Sequence, residues 1–182
     1  MPVVTLLPHP ETPCSSVCHL TVHGAIGVEG QLELQFRLSA PLAEFRLPAA
    51  NPAPGRRDEL WRQTCFEAFI RTDAGPGYWE CNFSPSGDWA VYRFDSYRSG
   101  MAAAELPEPP RIRLQQSDTA LTLTAHLPQV RGGLIDPSAC LKLGLATVLE
   151  SADGRLSYWA LHHPAGQPDF HHADAFAWTV QG

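Results

Sequence analysis

Short runs in which apolar and polar residues alternate dominate this chain, and 17 prolines and 14 glycines separate them. The segment Leu121-Thr122-Leu123-Thr124-Ala125-His126 is the clearest case: Leu121, Leu123 and Ala125 fall on one parity and the polar residues on the other. A period of two places alternate side chains on opposite faces of an extended strand, and no helical period of 3.6 is sustained anywhere. The pattern predicts strands at Cys18–Ile26, Gly30–Leu38, Thr64–Thr72, Tyr78–Ser84, Trp89–Asp95, Ile112–Gln116, Ala120–Leu127, Lys142–Glu150, Leu156–Leu161 and Phe176–Val180. QSDTALTLTAHLP reads as a hairpin, and so does LGLATVLESADGRLSYWAL, where Asp153-Gly154 supplies residues that tolerate positive φ. Two segments break the pattern. LPAANPAPGRRDELWRQ is a Pro/Ala loop ending in a helical turn at Asp58–Trp61, and RSGMAAAELPEPPR begins as a short helix that stops at Pro107. The expected architecture is an all-β sandwich or barrel, read as one domain over residues 1–182 because no repeat or composition break divides the chain.

Composition narrows the class of function. With 44% hydrophobic and 18% charged residues the chain can bury a core. Thirteen basic residues against nineteen acidic give a formal charge of −6, and no basic run exceeds two residues, which removes the electrostatic footprint of a nucleic-acid binder. No apolar stretch reaches the ~18 residues of a membrane span. The opening MPVVTLLPHPETP has no positively charged leader region, and the five cysteines (Cys14, Cys18, Cys65, Cys81, Cys140) are odd in number and scattered. A reduced, cytoplasmic setting is therefore expected.

The usual motifs of nucleotide hydrolysis, dinucleotide binding, serine hydrolysis and zincin chemistry are all missing. Cys14, Cys18, His19 and His23 invite a zinc reading, but on a strand His19 and His23 point away from Cys18 and cannot converge tetrahedrally. The carboxylates are more informative. On its predicted strand Glu67 shares a face with Cys65 and Phe69, while Glu80 and Asn82 share one opposite Trp79, Cys81 and Phe83. A carboxylate among apolar neighbours is costly unless paired, so these residues either build a polar ligand-contacting face or an internal ion-pair set with Arg62, Arg71, Arg93 or Arg98. Trp61, Trp79, Trp89 and Trp159 offer flat apolar faces with a polar edge, suited to stacking on a sugar ring or a porphyrin.

The segments LWRQTCFEAFI, YWECNFSPSGDWAVYRFDSYRSGM and PDFHHADAF resemble, in that order, the DOMON-like domains, which are related to the family-nine-like carbohydrate-binding modules. The matching pattern spans residues 58–178. The resemblance implies a β-sandwich of two antiparallel sheets that binds sugars in some relatives and haem in others. For a sugar it implies a tryptophan pair, for which Trp61 and Trp159 are the candidates. For haem it implies a Met and a His as axial ligands, for which this chain offers Met101, the only methionine beyond the first residue, with His162 or His171.

Four histidines, His162, His163, His171 and His172, fall within eleven positions. Adjacent histidines on an extended chain project to opposite faces, which disfavours a four-histidine metal centre. His171 is the member expected to line the loop, with Asp169 as its local partner. The expected function is a non-catalytic domain binding a small carbohydrate or amino-sugar ligand. Its candidate contacts are Trp61, Glu67, Trp79, Glu80, Asn82, Trp89, Arg93, Trp159, His162, Asp169 and His171, with no catalytic residue, metal ligand or cofactor assigned. The alternatives are a haem- or metal-binding module through Met101, His162 and His171, an enzyme on a sugar or peptidoglycan precursor using Glu67, Glu80, Asp169 and a histidine, and a protein-interaction scaffold.

Overall fold

A computed structural model describes residues 3–16, 18–128, 130, 134–136 and 139–180. Its strands are β1 (Val3–Pro8), β2 (His19–Ile26), β3 (Leu32–Ser39), β4 (Cys65–Thr72), β5 (Tyr78–Phe83), β6 (Trp89–Phe94), β7 (Ala102–Ala103), β8 (Arg111–Gln116), β9 (Ala120–Leu127), β10 (Leu141–Glu150), β11 (Leu156–Ala160) and β12 (Trp178–Val180). These strands all pair antiparallel, in the order β7-β6-β5-β4-β10-β11-β1-β2-β3-β9-β8, with β12 beside the start of β10. Strand β1 joins the two halves: Val3–Leu6 pair with β2, and Leu7 and Pro8 pair with β11. The result is a β-sandwich whose first sheet is β1-β2-β3-β9-β8 and whose second is β7-β6-β5-β4-β10-β11.

The ten predicted strands correspond to β2–β6 and β8–β12. Strand β1 was not predicted because VVTLLP lacks alternation; it changes partners midway, so no single face is buried along its length. The helix expected after Arg98 is not present: Ala102–Ala103 is a two-residue edge strand on β6, too close to Pro107 to propagate helical turns. The helical turn expected at Asp58–Trp61 is a 3-10 turn at Leu60–Arg62. The β8–β9 hairpin closes with Ser117 N donating to Ala120 O at 2.8 Å. In the β10–β11 hairpin Gly154 takes φ +86°, a conformation that costs glycine nothing.

In the first sheet β3 shows strict alternation. In β3, Leu32, Leu34, Phe36 and Leu38 are buried between Glu33, Gln35 and Arg37, which face solvent. These inner residues meet Phe66, Ala68, Ile70, Cys81, Phe83, Val91, Leu143 and Leu145 of the second sheet, with the Phe36 and Phe66 ring centroids 5.3 Å apart. Each such side chain contributes about 1.5–3 kcal/mol by leaving water. The second sheet departs from the pattern, because its outer face is buried too. Phe69, Tyr78, Ala90, Tyr92, Phe94, Ala146, Ala160 and Phe176 form a separate apolar cluster there, joined by Leu60, Trp61 and Phe170 from two loops.

Gly144 lets one of those loops settle. A Cβ at Gly144 would lie 3.1 Å from Ala175 O and 3.4 Å from Phe69 Cβ, so glycine lets the 3-10 turn Ala173–Ala175 rest on β10 where a side chain would press it outward by a few tenths of an ångström.

Candidate functional site

The register of the second sheet sets the floor of the site. Glu67 lies opposite Asn82 and Phe69 opposite Glu80, so both carboxyl groups and the amide share the outer face, with Glu67 and Glu80 diagonal to one another. All three are buried, Glu67 to 2% exposure. Asn82 Nδ2 donates to Glu80 Oε1 at 2.7 Å, and Cys65 Sγ donates to Asn82 Oδ1 at 3.7 Å. Glu67 Oε1 meets no hydrogen-bond donor among the described residues. Burial raises the proton affinity of Glu67 well above that of an ordinary carboxylate, and the neighbouring Glu80 charge adds to it. Burial also raises Glu80, but the Asn82 donor and the Arg98 charge pull it back. The pair therefore splits, with the proton on Glu67.

Two loops and a turn enclose this floor in a cleft of about 360 Å³, lined by Trp61, Glu67, Glu80, Phe94, Arg98, Met101, Val148, Tyr158, Pro168, Phe170 and His171. That volume lies in the ~300–1,000 Å³ range of small-ligand sites. Trp61 is presented by the 3-10 turn at Leu60–Arg62, entered through Glu59 at φ 62°. The Tyr92 hydroxyl anchors this loop by donating to Asp58 Oδ1 at 2.5 Å, and Trp61 packs edge-on against the Tyr92 ring at 5.9 Å. Arg98 is the second non-glycine residue at positive φ (52°) among the described residues. Both sit beside the cleft, where backbone strain is commonly retained for function.

The third element, the loop between β11 and β12, carries His171. Arg98 N–H donates to Tyr78 Oη at 3.2 Å, and the tautomer that also turns an N–H toward Glu80 has the Tyr78 hydroxyl donating to His171 Nδ1 at 2.8 Å. Nε2 then carries the proton and faces Glu80 Oε2 at 3.7 Å. Burial, followed by the Arg98 charge, lowers the His171 pKa to about 4, against the opposing pull of Asp169, so the imidazole is neutral at neutral pH. Asp169 pins the loop from outside. It accepts from Tyr97 Oη at 2.7 Å, Arg98 Nη2 at 2.8 Å and the His171 backbone N–H at 3.1 Å.

Of the residues singled out in the sequence, the structure brings Trp61, Glu67, Glu80 and His171 to one cleft, with Met101 at its rim and Asn82 beneath it. The local partnership expected between Asp169 and His171 is present, although Asp169 braces the loop and does not line the cleft. The others lie elsewhere. Trp159 does not pair with Trp61 across a ligand: it lies in the core between the sheets, 4% exposed, with Nε1 donating to Ser157 Oγ at 3.1 Å. Trp79 and Trp89 also pack on that inner face, since each follows the parity of Cys81 and Val91. Arg93 is bound to Asp95 at 2.6 Å beside Trp79, in a separate depression. His162 is exposed outside the cleft, and His163 hydrogen-bonds Leu7 O at 2.8 Å.

Sequence reasoning did not select Tyr158, Phe94 or Phe170 as ligand contacts, and it named Arg98 only as a partner for the carboxylates. A signal was available for two of them. Tyr158 has the parity opposite to Trp159 on one strand, and Phe94 shares the parity of Tyr92, so choosing the outer face of this sheet would have chosen both. Chemically, the cleft offers aromatic walls to the flat faces of a ligand, and acceptors with one acidic proton at its floor.

The β-sandwich fold is shared with solved structures whose names refer to carbohydrate binding. A candidate carbohydrate-binding protein from Bacteroides uniformis shares the fold with a TM-score of 0.66 at 13% identity, over 100% of this chain and 86% of that one. A family 9 carbohydrate binding module from Caldicellulosiruptor kristjanssonii, solved in complex with glucose, shares it with a TM-score of 0.54 at 10% identity, over 92% of this chain and 78% of that one. At these identities the likeness is one of fold. No protein-family model matches the sequence, and no curated protein matches it.

Proposed function

We propose that this protein is a non-catalytic domain that binds a small saccharide in the cleft on the outer face of its second sheet. The observation that carries the reading is the cleft itself: Trp61, Tyr158, Phe94 and Phe170 wall a floor of Glu67 and Glu80. Aromatic faces stack on the apolar faces of a sugar ring, while buried carboxyl groups take its hydroxyl donors. The fold shared with a module solved with glucose supports this reading. So does the DOMON-like order of motifs, whose Thr-Cys-x-Glu segment contributes Glu67 to the floor.

Isothermal titration calorimetry with a panel of mono- and disaccharides is the test. Saturable binding that Trp61→Ala and Tyr158→Ala abolish is expected. Absence of heat at millimolar saccharide, or binding indifferent to both substitutions, would overturn it.

Haem is the alternative that one observation favours, since Met101 and His171 line the same cleft. The residues do not fit that group. His171 Nε2 faces Glu80 Oε2, and two buried carboxyl groups occupy the floor where an apolar macrocycle would lie. Arg98, the guanidinium on the cleft wall, is bound to Asp169 and so is not free for a propionate.

A further inference from the structure

The proposal that follows rests on the saccharide reading and narrows it. We propose that the cleft selects a saccharide bearing a free, protonated amino group, which the Glu67 and Glu80 carboxylates bind at its floor.

The first observation is Glu67 Oε1, buried and without a donor among the described residues, on a side chain that lines the cleft. A buried carboxyl oxygen without a partner costs free energy that only a donor can recover. A ligand seated in the cleft can supply that donor.

The second observation is the shortage of positive charge around the floor, which holds for every element packed there. On β4, Cys65 is held protonated by burial, and the Arg71 guanidinium lies over the Phe176 ring, 4.7 Å from its centroid. On β5 and β6, Tyr78 and Tyr92 are held as neutral phenols by burial. β10 contributes Gly144, Ala146 and Val148 to this face, and its Lys142 pairs with Asp73 at 2.7 Å; β11 contributes Tyr158 and Ala160. From above, His171 is neutral at neutral pH, the Arg98 guanidinium is held by Asp169 at 2.8 Å, and on the Trp61 loop Arg56, which lies over the Tyr92 ring, pairs with Asp58 at 2.8 Å and Arg62 with Glu59 at 2.7 Å. Among the described residues no cation is ion-paired with either carboxyl group; Arg98 acts on Glu80 through its charge alone while paired with Asp169.

The third observation is the wall. Aromatic faces attract an ammonium group through their quadrupoles, and carboxylates beneath supply charge-assisted acceptors. An ammonium presents three donors, enough to reach both Glu67 and Glu80. A sugar hydroxyl presents one donor and no charge, and an acetamido group places a carbonyl and a methyl where donors are wanted.

Proton bookkeeping supplies an independent signature. In the free protein Glu67 holds its proton because burial and Glu80 favour the acid. An arriving ammonium favours the carboxylate, so the Glu67 proton passes to the solvent as the ion pair forms. Binding of an amino sugar therefore releases protons, and binding of a neutral sugar does not.

The experiment is calorimetry on the full chain at neutral pH with glucosamine, glucose, N-acetylglucosamine and cyclohexylamine, repeated in buffers of different ionisation heat. Glucosamine is expected to bind about tenfold or more tighter than glucose or N-acetylglucosamine, the fold-change that one charge-assisted hydrogen bond supplies. Its apparent enthalpy should follow the buffer heat in the direction of proton release. Glu67→Gln should bring glucosamine and glucose to similar affinity and remove the buffer dependence; Glu80→Gln serves the same comparison if circular dichroism shows the first variant misfolded. Equal affinity for glucose and glucosamine in the wild type would overturn the amine inference and leave the saccharide reading standing. Binding of cyclohexylamine without any sugar would do the reverse. Silence from all four ligands would overturn both.

Discussion

The two sheets of the sandwich treat their outer faces differently, and the difference locates the site. On the first sheet, β3 exposes Glu33, Gln35 and Arg37 to water, as an antiparallel sheet with one solvated face should. On the second, six consecutive residues of β4, Cys65–Ile70, are buried on both faces. Water has been replaced there by two loops and a turn, and the space left between roof and sheet is the cleft. A polar residue on the open face is hydrated at no cost. The same residue type on the roofed face, as with Glu67, must be neutralised or partnered, and its chemistry is changed accordingly.

If the roofed face is a second core, deleting a ring from it should cost as much as deleting one from the first. Phe69 lies on this face, 1% exposed, with ring centroids 5.1 Å from His171 and 6.4 Å from Phe176. Phe69→Ala is expected to destabilise by about 3–5 kcal/mol, whereas Gln35→Ala on the open face should stay within about 0.5 kcal/mol. Urea denaturation of both variants measures the contrast. A Phe69 variant as stable as the Gln35 variant would show the roof to be a loose cover.

The next effect in size concerns how the roof is seated. Gly144→Ala forces a methyl against Ala175 O and Phe69 Cβ, so the turn at Ala173–Ala175 must lift. Overpacking of about 1–3 kcal/mol is expected, together with weaker saccharide binding, because the same loop carries His171 and Phe170. Thermal unfolding and calorimetry on one preparation would reveal whether seating and binding move together.

This contrast also explains how much could be read in advance. Alternation gave ten strands nearly residue for residue, because half-buried strands carry a period-two signal. It also put Glu67, Glu80 and Asn82 on their faces, since parity along a strand is a local property. Which tryptophans face the cleft was not legible. Trp79, Trp89 and Trp159 differ from Tyr158 only in parity, and parity names a face without saying which face a loop will roof. Strand β1 was invisible for the same reason, since a strand that changes sheets has no constant inner face. The Arg98–Asp169 brace joins residues 71 apart in the chain, a pairing no local pattern encodes.

Glu67 offers a smaller and more specific test of the comparison. Its folded proton affinity is raised, so the folded state holds more protons than the unfolded state between the ordinary value of 4.5 and the raised folded pKa. Stability should therefore fall as pH rises from that value toward the raised folded pKa, and lose the whole contribution beyond it. Glu67→Gln removes this slope and should stabilise the free protein by about 1 kcal/mol at neutral pH, in the range of relieving one poorly partnered buried group. Denaturation midpoints of both proteins across the neutral and alkaline range check the sign. A wild-type stability that climbs with pH while the variant stays flat would mean that Glu67 is ionised and satisfied within the fold.

His171 produces the opposite slope on the same face, and at neutral pH it produces no effect. Its pKa is lowered from 6.5 to about 4 by burial and by Arg98, so between those values the unfolded chain binds the extra proton. The stability that neutral His171 contributes is complete above 6.5 and is lost as pH falls toward 4. The loss should begin in the roof, because protonated Nδ1 can no longer accept from the Tyr78 hydroxyl and a charge would be placed against the Phe69 and Phe94 rings. NMR titration of the imidazole should find a midpoint near 4. The Phe170 and Trp61 resonances should shift with it, while those of Gln35 and Arg37 stay still. His171→Gln should abolish the acid-side shift and leave the alkaline slope from Glu67 intact. Two opposed slopes on one face, separable by single substitutions, are what a roofed polar cleft produces.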